Sequence, residues 1–143
     1  MRSRLRGLRQ LAGWREALAL PYVALVAALL PLSLRLPLWR ADRMLRFGPS
    51  GPPLRLAGPE LARVLETAQR ALHPLVRSGC ITRAMTLWWL LGGDRAALRL
   101  CFGIGGAADD HAGHCWVEQD GAPYLEPVDL RERFPEHVAL PLR

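Results

Sequence analysis

Residues 80–91 read CITRAMTLWWLL, a stretch in which Arg83 is the one charged side chain. On a helical projection its apolar residues lie on all sides, which predicts a helix buried all round. Ser78 is expected to cap its start, and Gly92-Gly93 to end it. Such a helix needs cover on every side, so we expect it at the centre of the domain.

After this helix the apolar residues follow a period of two. Alternation over 97–104 predicts a strand with Leu98, Leu100, Phe102 and Ile104 on one face and Arg99 and Cys101 on the other. A loop rich in glycine and acids, 105–113, leads to a second strand, His114–Gln119. Asp120-Gly121 is a hairpin signal, and Ala122–Val128 is expected to return beside the second strand.

Before the central helix, Pro59 opens a helical pattern over residues 60–76. Helices come first and antiparallel strands follow, so the sequence predicts an α+β fold. We expect a basic and apolar N-terminal helical segment (1–47), a Pro/Gly linker (48–58) and a core (59–143).

The uncharged apolar run Ala17–Leu34 approaches a membrane span in length, and the apolar segment as a whole extends over 17–38. Pro21 and Pro31 are expected to divide it into shorter pieces, which favours helices buried in the domain or against a partner. Peripheral contact with a membrane and a true span both stay open at this point.

The distribution of charge bears on partners. All 19 basic residues are arginine. Residues 1–46 hold nine of them against two acids, a balance of +7, whereas 47–143 hold ten against eleven, a balance of −1. Six acids and no arginine occupy 101–130, which argues against nucleic-acid binding.

The chain has three cysteines, at 80, 101 and 115. A disulfide framework would have an even and larger number of cysteines, so these three indicate a reducing compartment.

Cys80 is predicted at the first turn of the buried helix, where free backbone N–H groups and the helix dipole favour a thiolate. His114 begins the second strand and shares a face with Trp116 and Glu118, from which it is expected to reach the helix start. Cys101 and Cys115 are expected on the face away from this chemistry.

The sequence contains neither lysine nor asparagine, which excludes Ser-Lys and Cys-His-Asn mechanisms.

The turn at Asp120-Gly121 selects the third catalytic residue. A two-residue turn places His114 opposite Pro127, whereas a three-residue turn that includes Gln119 places it opposite Glu126. Catalysis by a Cys80–His114–Glu126 triad therefore predicts the three-residue turn, since directly opposed side chains lie about 5 Å apart. Asp129 would then fall on the other face.

Metal and cofactor sites are not expected. His111, His114 and Cys115 resemble a zinc set, but His114 and Cys115 point to opposite faces and no fourth ligand is suitably spaced. No phosphate-binding loop or dinucleotide fingerprint is present in the sequence.

Cys80-x-x-Arg83, the strand ending Phe102-Gly103-Ile104-Gly105, and His114-x-Trp116-Val117-Glu118-x-Asp120-Gly121 together form a series. It resembles the stand-alone leader peptidases of lasso-peptide biosynthesis, cysteine proteases with a transglutaminase/papain-like core. The likeness covers about residues 59–130. Cys115 stands where the family usually has alanine, and Glu126 where it more often has aspartate.

The resemblance implies a bacterial cytoplasmic enzyme that removes the leader from a ribosomally made precursor. Cys80 would be the nucleophile, His114 the base and Glu126 the acidic member. A separate leader-recognition protein is implied, with the lasso cyclase as a further partner. Two alternatives stay open: an acyltransferase with the same triad, and a non-enzymatic, membrane-associated scaffold.

Overall fold

The computed structural model describes residues 13–35, 51–92, 97–104, 113–126, 130, 134–135 and 137–140. The described part contains three α-helices: α1 (Trp14–Leu29), α2 (Gly58–Ala71) and α3 (Cys80–Leu90). Two 3-10 segments, Leu30–Arg35 and Pro53–Arg55, lie between α1 and α2 in the chain. Four strands follow: β1 (Leu98–Ile104), β2 (Gly113–Gln119), β3 (Ala122–Tyr124) and β4 (His137–Leu140). This order confirms the predicted α+β fold.

The strands form an antiparallel sheet in the order β3-β2-β1-β4. In its centre Leu100 is aligned with Val117, and Cys101 with Trp116. β4 was not predicted, because a segment of four residues is too short to display a period. It pairs with β1 and forms one edge of the sheet.

The two faces of the sheet belong to two separate apolar clusters. The first cluster holds the inner sides of the helices and includes Leu98, Leu100, Cys115 and Val117. The second cluster consists of Cys101, Trp116, Leu130 and Phe134. The alternation predicted for β1 is therefore confirmed.

Cys115 departs from its expected position. It lies on the sheet face that the helices cover, in the same cluster against which Cys80 packs. The reason is that Cys115 and Val117 form the apolar side of β2, whereas the other side carries His114 and Glu118. The apolar helix α3 packs on the apolar side.

The helix α1 is part of the same core. Val23 and Ala27 are buried in one cluster with Leu61 and Leu65 of α2. The Glu16 carboxylate, 3% exposed, accepts a hydrogen bond of 2.7 Å from Arg63 of α2. Burial on this side and a partly buried ion pair fix α1 to α2.

The outer side of α1 carries an exposed apolar stripe, formed by Trp14, Leu18, Tyr22, Leu25, Leu29 and Leu32.

α1 continues through Pro21, contrary to the expected break. Pro21 is exposed and lacks only the N–H that would bond one turn earlier. Pro31 lies where α1 gives way to the 3-10 segment. By length and composition Trp14–Leu32 could cross a membrane, a property that core helices share.

The boundaries of α2 follow from its sequence. Pro59 occupies the first turn, and the Glu60 carboxylate accepts a 2.7 Å hydrogen bond from the Ala57 backbone N–H. The helix ends at Ala71, five residues before the predicted end at 76. Pro74 explains the difference, because proline disfavours helical backbone in the residue before it.

Candidate active site

Cys80 is the first residue of α3. The residue before the helix, Gly79, is its N-cap, with extended backbone and no side-chain capping bond. The prediction that Ser78 caps the helix is therefore wrong. Since glycine has no side chain to occupy the first N–H groups, these donors are left to a thiolate or to the oxyanion of a bound substrate.

Solvent access distinguishes the three cysteines. Cys101 is 0% exposed and Cys115 is 1% exposed, whereas Cys80 is half-buried. Burial raises the pKa of the Cys115 thiol far above its ordinary value, and the nearby Cys80, Cys101 and Glu126 add to the effect. Cys115 is therefore held as a thiol, and Cys80 is the cysteine that a substrate can reach.

Arg83 lies one turn after Cys80 and connects three elements. Its guanidinium donates to Glu66 of α2 at 3.0 Å and to the Leu125 backbone carbonyl at 3.1 Å. Its Nε lies 3.5 Å from a Glu126 carboxylate oxygen. Glu126 is thus held close to the first turns of α3 by an arginine. One signal of this role is visible in the sequence, since Arg83 is the only charge in residues 80–91.

The β2–β3 turn has two residues, not three. Gln119 is aligned with Ala122, and Asp120 and Gly121 have φ values of 51° and 79°. Two successive left-handed residues form the turn type whose twist matches that of a hairpin. The three-residue prediction is therefore wrong, and Glu126 is not the cross-strand partner of His114. Pairing ends at Tyr124, and Pro127 and Asp129 lie outside the described residues.

The His114 ring lies on the second face of the sheet. It stacks on Phe134 with ring centroids 5.6 Å apart and on Trp116 at 6.1 Å. Its Nε2 is buried and forms no hydrogen bond with any described residue. The structure thus brings Cys80, Cys115, Arg83 and Glu126 to one side of β2, and it leaves His114 on the other side.

An apolar groove lies along the first turn of α3. Ile81 and Thr82 of α3 line it, together with Leu75, Arg77 and the end of α1. Its volume is about 630 Å³, enough for several side chains of a peptide. Sequence reasoning missed the groove because its walls come from three separate parts of the chain.

A second group of polar side chains lies on the opposite face. Ligand atoms of Cys101, Glu118 and His137 are all within 4.8 Å of one another. Of the zinc set considered from the sequence, His114 and Cys115 do point to opposite faces, and His111 lies outside the described residues.

Comparison with known families identifies the class of protein. The model of the transglutaminase-like superfamily matches residues 19–139, from within α1 to within β4. The chain therefore belongs to this superfamily, whose fold is typical of thiol enzymes with a Cys-His-Asp/Glu triad. No match was found among curated proteins or among solved structures.

Proposed function

We propose that this chain is a cysteine peptidase that removes the leader from a ribosomally synthesised lasso-peptide precursor. One observation carries the proposal: in a transglutaminase-like chain, the one cysteine open to solvent begins a helix that has no side-chain cap. The sequence series from Cys80 to Gly121 supports the narrower substrate class by resemblance.

The Cys80 thiolate attacks the carbonyl carbon of the leader–core peptide bond. The C–N bond breaks, the amine leaves with a proton from His114, and the leader remains as a thioester on Sγ. Water then attacks the thioester carbonyl carbon, with His114 taking its proton, and the C–S bond breaks to release the leader as a carboxylic acid and to regenerate the Cys80 thiolate. Free N–H groups at the start of α3, including that of Cys80, stabilise the oxyanion.

Catalysis by His114 requires a movement at the start of β2. The ring must leave its stack on Phe134 and reach the Cys80 side of the strand. Gly113, the residue before it, is the first residue of β2, and a side chain at this position would meet the Gly103 carbonyl oxygen only at ordinary contact distance, 3.8 Å. Glycine permits the backbone rotation that this movement needs. Glu126, held by Arg83, is the proposed acidic member.

The groove along the first turn of α3 is the proposed binding site for residues that flank the cleaved bond. Leu29, Leu75 and Ile81 line it and are exposed, so apolar substrate residues would be favoured there. We assign the exposed stripe of α1 to contact with a separate recognition protein, with the cyclase as a further partner. Such a complex works in the cytoplasm, where the thiols stay reduced.

Mass spectrometry of the products tests the assignment. The precursor and its recognition protein are incubated with wild-type enzyme, Cys80→Ala and the matched control Cys115→Ala. Cleavage is expected to be lost in Cys80→Ala and retained in Cys115→Ala. Cleavage at the wild-type rate by Cys80→Ala would contradict the proposal. A product heavier by an added amine would instead identify an acyltransferase.

A further inference from the structure

The second face of the sheet gathers three potential metal ligands of different chemistry. β1 contributes Cys101, β2 contributes Glu118, and β4 contributes His137. Along the sheet, Glu118 is aligned with Arg99 and His137 with Gly103, so the two flank Cys101 on opposite sides. Their longer side chains converge over the thiol.

We propose that Cys101, Glu118 and His137 bind a Zn²⁺ ion. Their ligand atoms lie within 4.8 Å of one another. Around a tetrahedral zinc with bonds of about 2.0–2.3 Å, neighbouring ligand atoms are roughly 3.3–3.8 Å apart. Side-chain movements of about 1 Å therefore close the site. A thiolate, an imidazole and a carboxylate are together a ligand set suited to zinc, and a water molecule would complete the four-coordinate shell.

Two of the ligands already have the outer hydrogen bonds that orient metal ligands. Trp116 Nε1 donates to a Glu118 carboxylate oxygen at 3.2 Å. His137 Nδ1 lies 3.2 Å from the Phe134 backbone carbonyl, to which it can only donate. That bond places the lone pair of a neutral imidazole on Nε2, which is then available to bind a metal. Such outer partners are a regular feature of metal sites in proteins.

Burial and charge also fit an ion. Cys101 and Glu118 are both 0% exposed, and the Trp116 ring lies 5.3 Å from that of His137. A thiolate and a carboxylate offset the two charges of Zn²⁺, so the ion and its three protein ligands together carry no net charge. The ring of Trp116 and the other apolar residues of this cluster limit access by water, which strengthens the metal–ligand interactions.

Substitution of Arg99 provides an independent test of the site. It is aligned with Glu118 across the sheet, and its buried Nε has no hydrogen-bond partner among the described residues. A guanidinium at this position repels a divalent cation. Arg99→Gln should therefore tighten metal binding, whereas an ion-free network has no reason to respond in this way.

The site does not involve Cys80, so it stands or falls separately from the peptidase activity. Zinc would connect β4, the short edge strand, to β1 and β2. Its proposed role is to stabilise this face of the sheet, and metal binding should raise the melting temperature.

Cobalt titration tests the inference with the full, reduced and chelator-treated chain. Co²⁺ bound by a thiolate gives a charge-transfer band in the near ultraviolet. We expect this band in wild type, in the double variant Cys80→Ser/Cys115→Ser and in His73→Gln, and its loss in Cys101→Ser. No band in wild type, or an equal band in Cys101→Ser, would overturn the site.

A ligand exchange covers the case in which Cys101→Ser fails to fold. His137→Cys supplies a second thiolate, so Co²⁺ should still bind and the charge-transfer band should become stronger. Arg99→Gln should bind Co²⁺ more tightly than wild type. An unchanged band in His137→Cys, or weaker binding by Arg99→Gln, would count against the proposal.

Discussion

Among the single residues near the proposed nucleophile, Cys115 has the most unusual environment. It is 1% exposed and lies in the core cluster against which Cys80 packs. A buried thiol behaves as a small apolar side chain for as long as it keeps its proton. Its environment therefore predicts a pH dependence of stability.

The stability of the protein should fall in alkaline solution because of Cys115. Burial raises the pKa of its thiol well above the ordinary 9.0, so the folded state keeps the proton while the unfolded chain loses it. At pH values below that ordinary pKa the thiol is protonated in both states, so it does not make the free energy of unfolding depend on pH. Above it, stability falls by up to about 1.4 kcal/mol per pH unit.

Urea unfolding at several pH values checks this expectation. Wild type and Cys115→Ala are compared between pH 8 and pH 10.5. The variant should lose the part of the alkaline slope that comes from this thiol. Equal slopes in the two proteins would show that Cys115 does not titrate abnormally.

Sequence reasoning at this scale succeeded where a residue's role follows from its own element. Cys80 was placed correctly at the start of a buried helix, because the apolar pattern of residues 80–91 shows where that helix begins. The capping by Ser78 failed, since the exact N-cap depends on backbone angles at Gly79. The partner of Glu126 was not foreseen, because Arg83 is 43 positions before it in the chain.

At the scale of elements, Arg83 joins α3 to α2 and to the end of β3. Its side chain is 22% exposed, so its charge-assisted bonds are only partly screened. Arg83→Ala should cost about 2–3 kcal/mol of unfolding free energy. Arg83→Lys should recover part of that loss, because lysine keeps the charge and loses the fork of donors.

Denaturant unfolding of both variants measures these costs. Arg77→Ala is the matched control, because Arg77 is an exposed arginine close to the same helix and is expected to cost under about 0.5 kcal/mol. Costs for Arg83→Ala no larger than for Arg77→Ala would mean that the connection contributes little.

The sheet shows which element-level features a sequence carries. The alternation of β1 and the Asp-Gly hairpin were evident from residue order, and both strands beside that hairpin formed. The length of the turn was not evident from residue order. Two-residue and three-residue turns both accommodate Asp120-Gly121, and they differ in a backbone twist that the sequence does not determine. β4 was not predicted, because its pairing partner β1 lies more than 30 positions earlier in the chain.

For the whole molecule, α1 matters most, because its inner side completes the core. Val23 is 0% exposed, Ala27 is 1% exposed and Glu16 bonds Arg63 of α2. The superfamily match also begins within this helix, at residue 19. Deletion of residues 1–35 should therefore abolish cooperative thermal unfolding, because the exposed faces of α2 and α3 lose their cover.

Near-ultraviolet circular dichroism during heating measures this effect. The control replaces Leu18 and Leu25 of the outer stripe by glutamine, which should leave the melting temperature close to that of wild type. A deletion variant that melts cooperatively at the wild-type temperature would show that α1 is dispensable for the fold and is present for a partner or a membrane.

The overall class was predictable and the arrangement of the site was not. Helices followed by antiparallel strands are recorded in apolar periods, which are local. The side of β2 that α3 covers depends on packing between distant segments, and this placed Cys115, not His114, on the Cys80 side. Sequence therefore identified the candidate residues, and the fold determined which of them are neighbours.

The central claim is that Cys80 forms a thioester with the leader. Acid quenching of wild-type enzyme during turnover of the precursor, followed by intact-mass and peptide mapping, tests it most directly. We expect an adduct with the mass of the leader acyl group on Cys80, which hydroxylamine removes. Turnover without any adduct on Cys80, together with continued cleavage by Cys80→Ala, would contradict it.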